Sequence, residues 1–338
     1  MVELQRKNTG AGATLVRGSR IGRALGVLVL LAVSVAVAVG IGEAVCRATG
    51  LGGIILYERG LYRSSGDQRL VYELTPGFAG HSYGTKVVVD SLGFRGPEFS
   101  STPARGVYRI VCVGDSFTFG MGVEYDQSWP KRLERKVAPP RGFQSVEVIN
   151  AGVPGYNLTE YCEEIICRVI PLKPNLVIIG LVGNDLAPSF FVNHGYLCVP
   201  LKRTTLPVPA KRWLQTHSYL YQFLNMKYQA YVAARLQATS PEVAHELLWQ
   251  DTSKVEWEKS RVFLERCRQE LDRRRIKLTA VELWLPPVSP LRQVVRGAGV
   301  NTLAVKLEDK DRLEDGHPNA AGHESIAGQI AAYLPHVL

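Results

Sequence analysis

No segment of the chain repeats with a period of 20–50 residues, which excludes solenoids and propellers. None of its six cysteines and seven histidines falls at a zinc-ligand spacing, so no structural zinc site is expected. Charge is also scarce outside one terminus. Residues 1–25 hold five basic residues (Arg6, Lys7, Arg17, Arg20, Arg23) against Glu3, a net +4 of the chain's +9, and so +5 elsewhere. That excess is too thinly spread to call for a nucleic-acid partner. With 338 residues, 46% of them hydrophobic, the chain can bury a substantial core in one or two domains.

Residues 24–42, "ALGVLVLLAVSVAVAVGIG", contain no charged residue at all. As a helix this run spans about 28 Å, close to the thickness of the bilayer's hydrocarbon core of about 30 Å. No polar face interrupts it, which argues against a buried core helix. The basic leader 1–23 before it places the N-terminus in the cytoplasm and everything after Gly42 on the periplasmic or extracellular side. A cleaved signal peptide is the competing reading. It is disfavoured by the long leader, the long apolar run and the lack of a small-x-small site before Cys46. An extracytoplasmic domain permits disulfides, but their pairing is not readable from the sequence. Cys112 sits in an apolar strand pattern and reads as a small buried hydrophobe. Cys162 and Cys167 are five apart on an expected helix and share no face.

Residues 47–85 read as irregular structure, and 43–100 as a juxtamembrane and N-terminal extension with a short strand in "TKVVV" and a turn at Ser91–Gly93. A strand–helix rhythm then begins. Strands are expected at 107–114, 146–150, 175–183, 277–285 and near 302–306. Helices are expected at 128–137, 158–170, 255–275, near 290–297 and at 319–334. Ser128 can cap the first of these, and Pro130 suits its first turn. Residues 187–252 break the rhythm and read as an insertion, with a long helical stretch over 211–236 as a cap. The alternation implies an α/β fold with a parallel sheet covered on both faces. The catalytic unit is expected over 101–338.

In such sheets ligands bind beyond the carboxyl ends of the strands, so each exit is informative. The first ends in "VCVGDSFTFG", which sets Ser116 at a corner. The second ends in "NAGVPGYN" with Gly155, and the third in "GND" with Asn184. Before the last helix comes "EDGHPNAAGH" with His317. These types suit acyl transfer. A serine hydroxyl becomes a useful nucleophile when an imidazole takes its proton. A carboxylate must fix that imidazole, and Asp315 and Glu314 are both adjacent. The backbone N–H groups of Ser116 and Gly155 and the side-chain amide of Asn184 would hold the oxyanion.

In order and spacing these blocks resemble the SGNH (GDSL-type) hydrolase family: "GDSFTFG", "NAGVPG", "GND" and "DGHPNAAGH", across residues 107–334. "DSLGFRGPE" at 90–98 and the N-terminal apolar run resemble a membrane-attached bacterial branch of it. The resemblance implies a three-layer α/β/α fold and ester or acetyl-ester substrates, with no metal or other cofactor. Two departures stand out. Val182 occupies the place of the glycine that usually opens the third block. The acid often lies three residues before the histidine, where Glu314 stands, whereas a D-x-H arrangement selects Asp315, which is favoured here.

The implied activity is a membrane-anchored serine esterase, acting on a surface glycan or a lipid. A polysaccharide O-acetyltransferase using the same residues, a secreted lipase and a non-catalytic tethered glycan-binding protein are the alternatives. The remaining residues have plainer expected roles. Asp115 is a turn-former, Gly152 a turn requirement, Arg95 a loop anchor and His323 a packing histidine. The aromatics of 213–231 are expected to face the core or pack a lid.

Overall fold

The five strands expected from the alternation form one sheet, and every pairing in it is parallel. The computed structural model describes residues 20–49, 60–186, 191–193, 196–198, parts of 210–228, 254–286 and 289–337. In chain order the strands are β1 (Tyr62–Ser64), β2 (Tyr72–Leu74), β3 (Ala79–Ser82), β4 (Thr85–Val88), β5 (Val107–Gly114), β6 (Ser145–Gly152), β7 (Leu176–Val182), β8 (Phe191–Asn193), β9 (Tyr196–Cys198), β10 (Lys277–Trp284) and β11 (Thr302–Ala304). We number the helices α1 (Arg20–Thr49), α2 (Ser116–Phe119), α3 (Trp129–Lys136), α4 (Leu158–Glu164), α5 (Lys254–Arg273), α6 (Pro290–Gly297) and α7 (Ala320–Tyr333). The main sheet runs β11-β10-β7-β5-β6.

Because successive side chains alternate across a sheet, each apolar run serves two layers. Val111, Val113, Val177, Ile179 and Ala280 join Leu158, Tyr161, Leu264, Leu271, Leu291 and Val294, the side of α4, α5 and α6. Ile110, Cys112, Ile178, Val281 and Leu283 join Trp129, Leu133, Ile326 and Ile330, the side of α3 and α7. The fold is therefore the expected three-layer α/β/α sandwich. Cys112 is fully buried between β5 and the α3/α7 layer. Cys46, Cys112, Cys162, Cys167 and Cys267 carry free thiols.

Several local expectations are corrected. Residues 60–85 are not irregular: they form two short antiparallel pairs, β1–β2, which buries Tyr62, Tyr72 and Leu74, and β3–β4. Runs of three or four residues are too short to show alternation, which is why they escape a reading by period. Ser128 does not cap α3 through its side chain, and its hydroxyl instead donates to the Tyr125 carbonyl at 2.7 Å. The helix begun by α4 continues as a π turn over Ile165–Val169 and a 3₁₀ turn over Ile170–Leu172, so Pro171 lies inside its last turn. The insertion contains the small hairpin β8–β9. Of its aromatics, Trp213 is 60% and Tyr228 62% exposed, facing away from the core. Tyr231 and most of 199–253 lie outside the described residues.

Among the described residues, one helix is long and apolar enough to cross a membrane, the stretch Gly22–Thr49 within α1. Residues 22–41 are exposed along their whole length, and cover begins at Gly42.

Candidate active site

Three strand ends stand side by side at one rim. Gly114 of β5 pairs with Gly152 of β6 and with Gly180 of β7. This row of glycines is a seat. A Cβ on Gly114 would lie 2.1 Å from Thr118 Oγ1, one on Gly180 2.4 Å from the same atom, and one on Gly152 2.1 Å from the Phe119 nitrogen. The single turn α2 therefore rests directly on the sheet. The reason for Gly152 is this close approach rather than the turn expected of it.

The turn itself is fixed from both ends. Asp115 caps it, its carboxylate accepting from the Phe117 N–H at 2.9 Å. Gly120 closes it in the left-handed region at φ 86°. Burial pushes the Asp115 carboxyl up to about 6, against the Phe117 hydrogen bond and the nearby His317, which lower it. Below the turn lies Arg95, 2% exposed, which donates to the carbonyls of Phe119, Gly120 (2.6 Å) and Val123 (2.7 Å). The Asn150 amide donates to the same Phe119 carbonyl at 3.1 Å. The expected loop anchor thus holds the serine's own turn.

Gly155 follows β6 with φ +83°, a left-handed conformation that admits glycine readily. Asn184 is half-buried in the turn after β7. That turn is clamped by its neighbour Asp185, which is fully buried. Asp185 accepts from the Tyr161 hydroxyl at 2.7 Å and the Val182 N–H at 2.9 Å, and its carbonyl accepts from the Leu158 N–H at 2.8 Å. Burial, with the Asp115 charge nearby, holds the Asp185 carboxyl well above the ordinary range.

His317 comes from the loop before α7 rather than from a strand. Its Nε2 lies 2.8 Å from Ser116 Oγ and its Nδ1 2.7 Å from Asp315 Oδ2. An ionised Asp315 can only accept, so Nδ1 carries the proton and Nε2 is left to accept from the serine hydroxyl. That hydroxyl also sees Asp115 Oδ2, but at 3.3 Å, and the shorter contact to the imidazole is the stronger bond. Burial acts to raise the Asp315 carboxyl, and the hydrogen bond and charge of His317 overcome it, leaving it below the usual range. Glu314 and Asp315 are both exposed, and of the two carboxylates weighed in the sequence it is Asp315 that meets the imidazole, at 2.7 Å from Nδ1. His323 lies in α7, buried and accepting from the Trp129 N–H at 3.1 Å, and burial pushes it down to about 3.

One neighbour of the site went unread. Tyr83, at the tip of the β3–β4 hairpin, donates its hydroxyl to Asp315 Oδ2, the oxygen that also takes the His317 proton donor. Its backbone is in the left-handed region, φ 55°. The only sequence signal was the "SYGT" turn, which marks a hairpin but not what its tip reaches. Phe117 stands 5.0 Å from the His317 ring and stacks on Trp284 at 5.8 Å, completing an aromatic wall with Tyr83.

The family model described as GDSL-like Lipase/Acylhydrolase matches residues 112–324, well over half of the chain. The chain belongs to this family. As a GDSL-like acylhydrolase it is an enzyme that hydrolyses ester bonds, and the resemblance read from its four blocks holds. Among solved structures, the GDSL-like chain is similar to TesA, at 16% identity and TM-score 0.42 over 68% of this chain and 99% of that one. It is also similar to the psychrotrophic esterase EstA from Pseudoalteromonas sp., at 13% identity and TM-score 0.41 over 68% and 97%. A two-domain esterase active on acetylated mannans gives 13% identity and TM-score 0.40 over 68% of this chain and 50% of that one. No curated protein matches the chain.

Proposed function

We propose that this GDSL-like hydrolase is a membrane-tethered serine esterase that works through an acyl-enzyme on Ser116. The hydroxyl of Ser116 attacks the ester carbonyl carbon and gives its proton to His317 Nε2. Asp315 keeps Nδ1 protonated and balances the imidazolium that forms. The negative oxygen of the tetrahedral intermediate accepts from the N–H groups of Ser116 and Gly155 and from the Asn184 amide, each worth about 2.7–4 kcal/mol of barrier. Collapse breaks the C–O bond, and the alcohol leaves with the proton from His317. Water then gives a proton to His317 and attacks the acyl group, releasing the acid and restoring Ser116. Tyr83 acts as a positioning residue that holds Asp315 against the imidazole.

In this reading residues 24–42 anchor the protein and the leader 1–23 stays cytoplasmic. The extension 43–100 and the catalytic unit 101–338, with its insertion at about 187–252, lie on the other side. The substrate class is an ester or acetyl ester on a surface glycan or lipid within reach of the tether. Support for the anchor is the exposed apolar length of α1 and the basic residues ahead of it.

One observation carries the chemistry. A serine, a histidine and an aspartate from two distant parts of the chain are joined by bonds of 2.8 and 2.7 Å in the order that proton transfer requires. The test is labelling with a fluorophosphonate followed by peptide mapping. The label should sit on Ser116 and vanish in Ser116→Ala and His317→Ala. A label on another residue, with p-nitrophenyl acetate hydrolysis unchanged in Ser116→Ala, would overturn the assignment.

A further inference from the structure

The far end of α1 is fastened to the insertion. Glu43 accepts from the Ser218 hydroxyl at 2.8 Å and from the Tyr219 and Leu220 N–H groups, each at 3.0 Å, which is how a carboxylate caps a helix start. Arg47 stacks over the Tyr219 ring at 4.7 Å. A Cβ on Gly42 would lie 3.0 Å from Leu220 Cδ2. Gly42, Glu43 and Cys46 are covered while the twenty residues 22–41 are not. The insertion therefore meets α1 at the last residue of its uncharged run, where a spanning helix leaves the hydrocarbon.

Leu220, Leu224 and Tyr228 recur every fourth residue and share one helical face. The face that touches Gly42 at Leu220 continues into Leu224, 55% exposed, and Tyr228, 62% exposed, and Trp213 nearby is 60% exposed. Trp and Tyr are the residues that settle at the membrane–water boundary, and Lys227, also exposed, suits the headgroup layer. A water-facing lid would not carry Leu, Tyr and Trp outward at that level.

We propose that the helical face carrying Leu220, Leu224 and Tyr228 lies on the bilayer surface beside α1, with Trp213, Leu224 and Tyr228 set among the lipid headgroups. The catalytic unit is then held against the membrane by two elements rather than hung from one. The inference rests on the anchor reading of α1. Its partner is the lipid surface itself, through apolar contact and interfacial aromatics.

The test uses the full chain in phosphatidylcholine–phosphatidylglycerol vesicles containing lipids brominated near the headgroup. The chain has five tryptophans, so the signal of Trp213 is the difference between wild type and Trp213→Phe. Brominated lipid should quench that component and aqueous iodide should spare it. Leu224→Asp with Tyr228→Asp, both at exposed positions, should abolish the lipid quenching while the protein still resists carbonate extraction. If iodide quenches Trp213 and brominated lipid does not, in protein that resists extraction, the surface contact is refuted and the anchor stands. Shielding from both quenchers would mean a protein occupant and also overturn it. Extraction by carbonate would bring down the anchor and this inference together.

Discussion

The two halves of the site are built differently. The half that holds Ser116, the proposed nucleophile, is seated: α2 lies on three glycines in register, and Asn184 and Gly155 follow strands of the same sheet. The acid–base half is hung: Asp315 and His317 occupy a partly exposed loop. That loop is held by cross-bracing. The Leu313 N–H donates to the His317 carbonyl at 2.7 Å, Arg312 donates to the Gly316 carbonyl at 3.1 Å, and Asn319 reaches the Lys310 carbonyl at 2.7 Å. Strands give the proposed oxyanion donors a fixed geometry, which that task demands. A proton shuttle must follow its proton between serine, leaving group and water, and a braced loop suits that better.

Substitutions can break this contrast. The largest effect is expected at the shuttle. His317→Ala should lower kcat by about 10⁴-fold or more with an unchanged melting temperature, and Asp315→Asn by about 10⁴-fold, while Glu314→Gln should stay within about twofold. Steady-state kinetics on p-nitrophenyl acetate, with calorimetry, read both. Equal losses in Asp315→Asn and Glu314→Gln would undo the choice of acid. Asn184→Ala, on the seated half, should lower kcat by about 10²–10³-fold with little change in KM.

Gly152→Ala should act on the fold first, because its new methyl meets backbone rather than a flexible side chain. A loss of about 1–3 kcal/mol or more in denaturant unfolding is expected. An unaffected midpoint would mean that α2 is not seated as described. Tyr83→Phe should change stability little and lower kcat by about 10- to 150-fold, an effect of one hydrogen bond to a charged group. The loss should fall on kcat and leave KM near its wild-type value, because Tyr83 reaches Asp315. A lowered melting temperature with an equal rise in KM would argue for a merely structural tyrosine.

The smallest effect concerns Glu164, fully buried in α4, whose carboxyl burial pushes up to about 7 although Arg168 lies 3.5 Å away. Its folded value exceeds its unfolded one, so between about pH 4.5 and 7 the folded state holds the extra proton, and this contribution is lost as pH rises. The melting temperature of Glu164→Gln relative to wild type should therefore climb from pH 5 to pH 8.

Much of the seated half was legible because its residues act near their own place in the chain. Ser116, Gly155 and Asn184 each follow an apolar strand, and strands run side by side when helices separate them. Gly180 was not legible: it reads as one more residue of an apolar run, and its reason is the side chain of Thr118, sixty-two positions earlier. Asp185 read only as the third letter of "GND", because its partner Tyr161 belongs to another element. Tyr83 and the outward Trp213 and Tyr228 were missed for a shared reason. Pattern tells which residues are apolar or sit at a turn, but not which surface a distant hairpin or an inserted helix comes to rest on.

Tyr83 and Arg95 both precede residue 112, where the match to the family begins. A fragment trimmed to those limits would carry the nucleophile and the imidazole yet lack the phenol beside the acid and the guanidinium beneath the serine. Inhibitors screened on such a truncated protein would be ranked against a site missing part of its aromatic wall and part of its floor. Any recombinant version meant to report native turnover has to keep the β3–β4 hairpin, and so begin before Ala79.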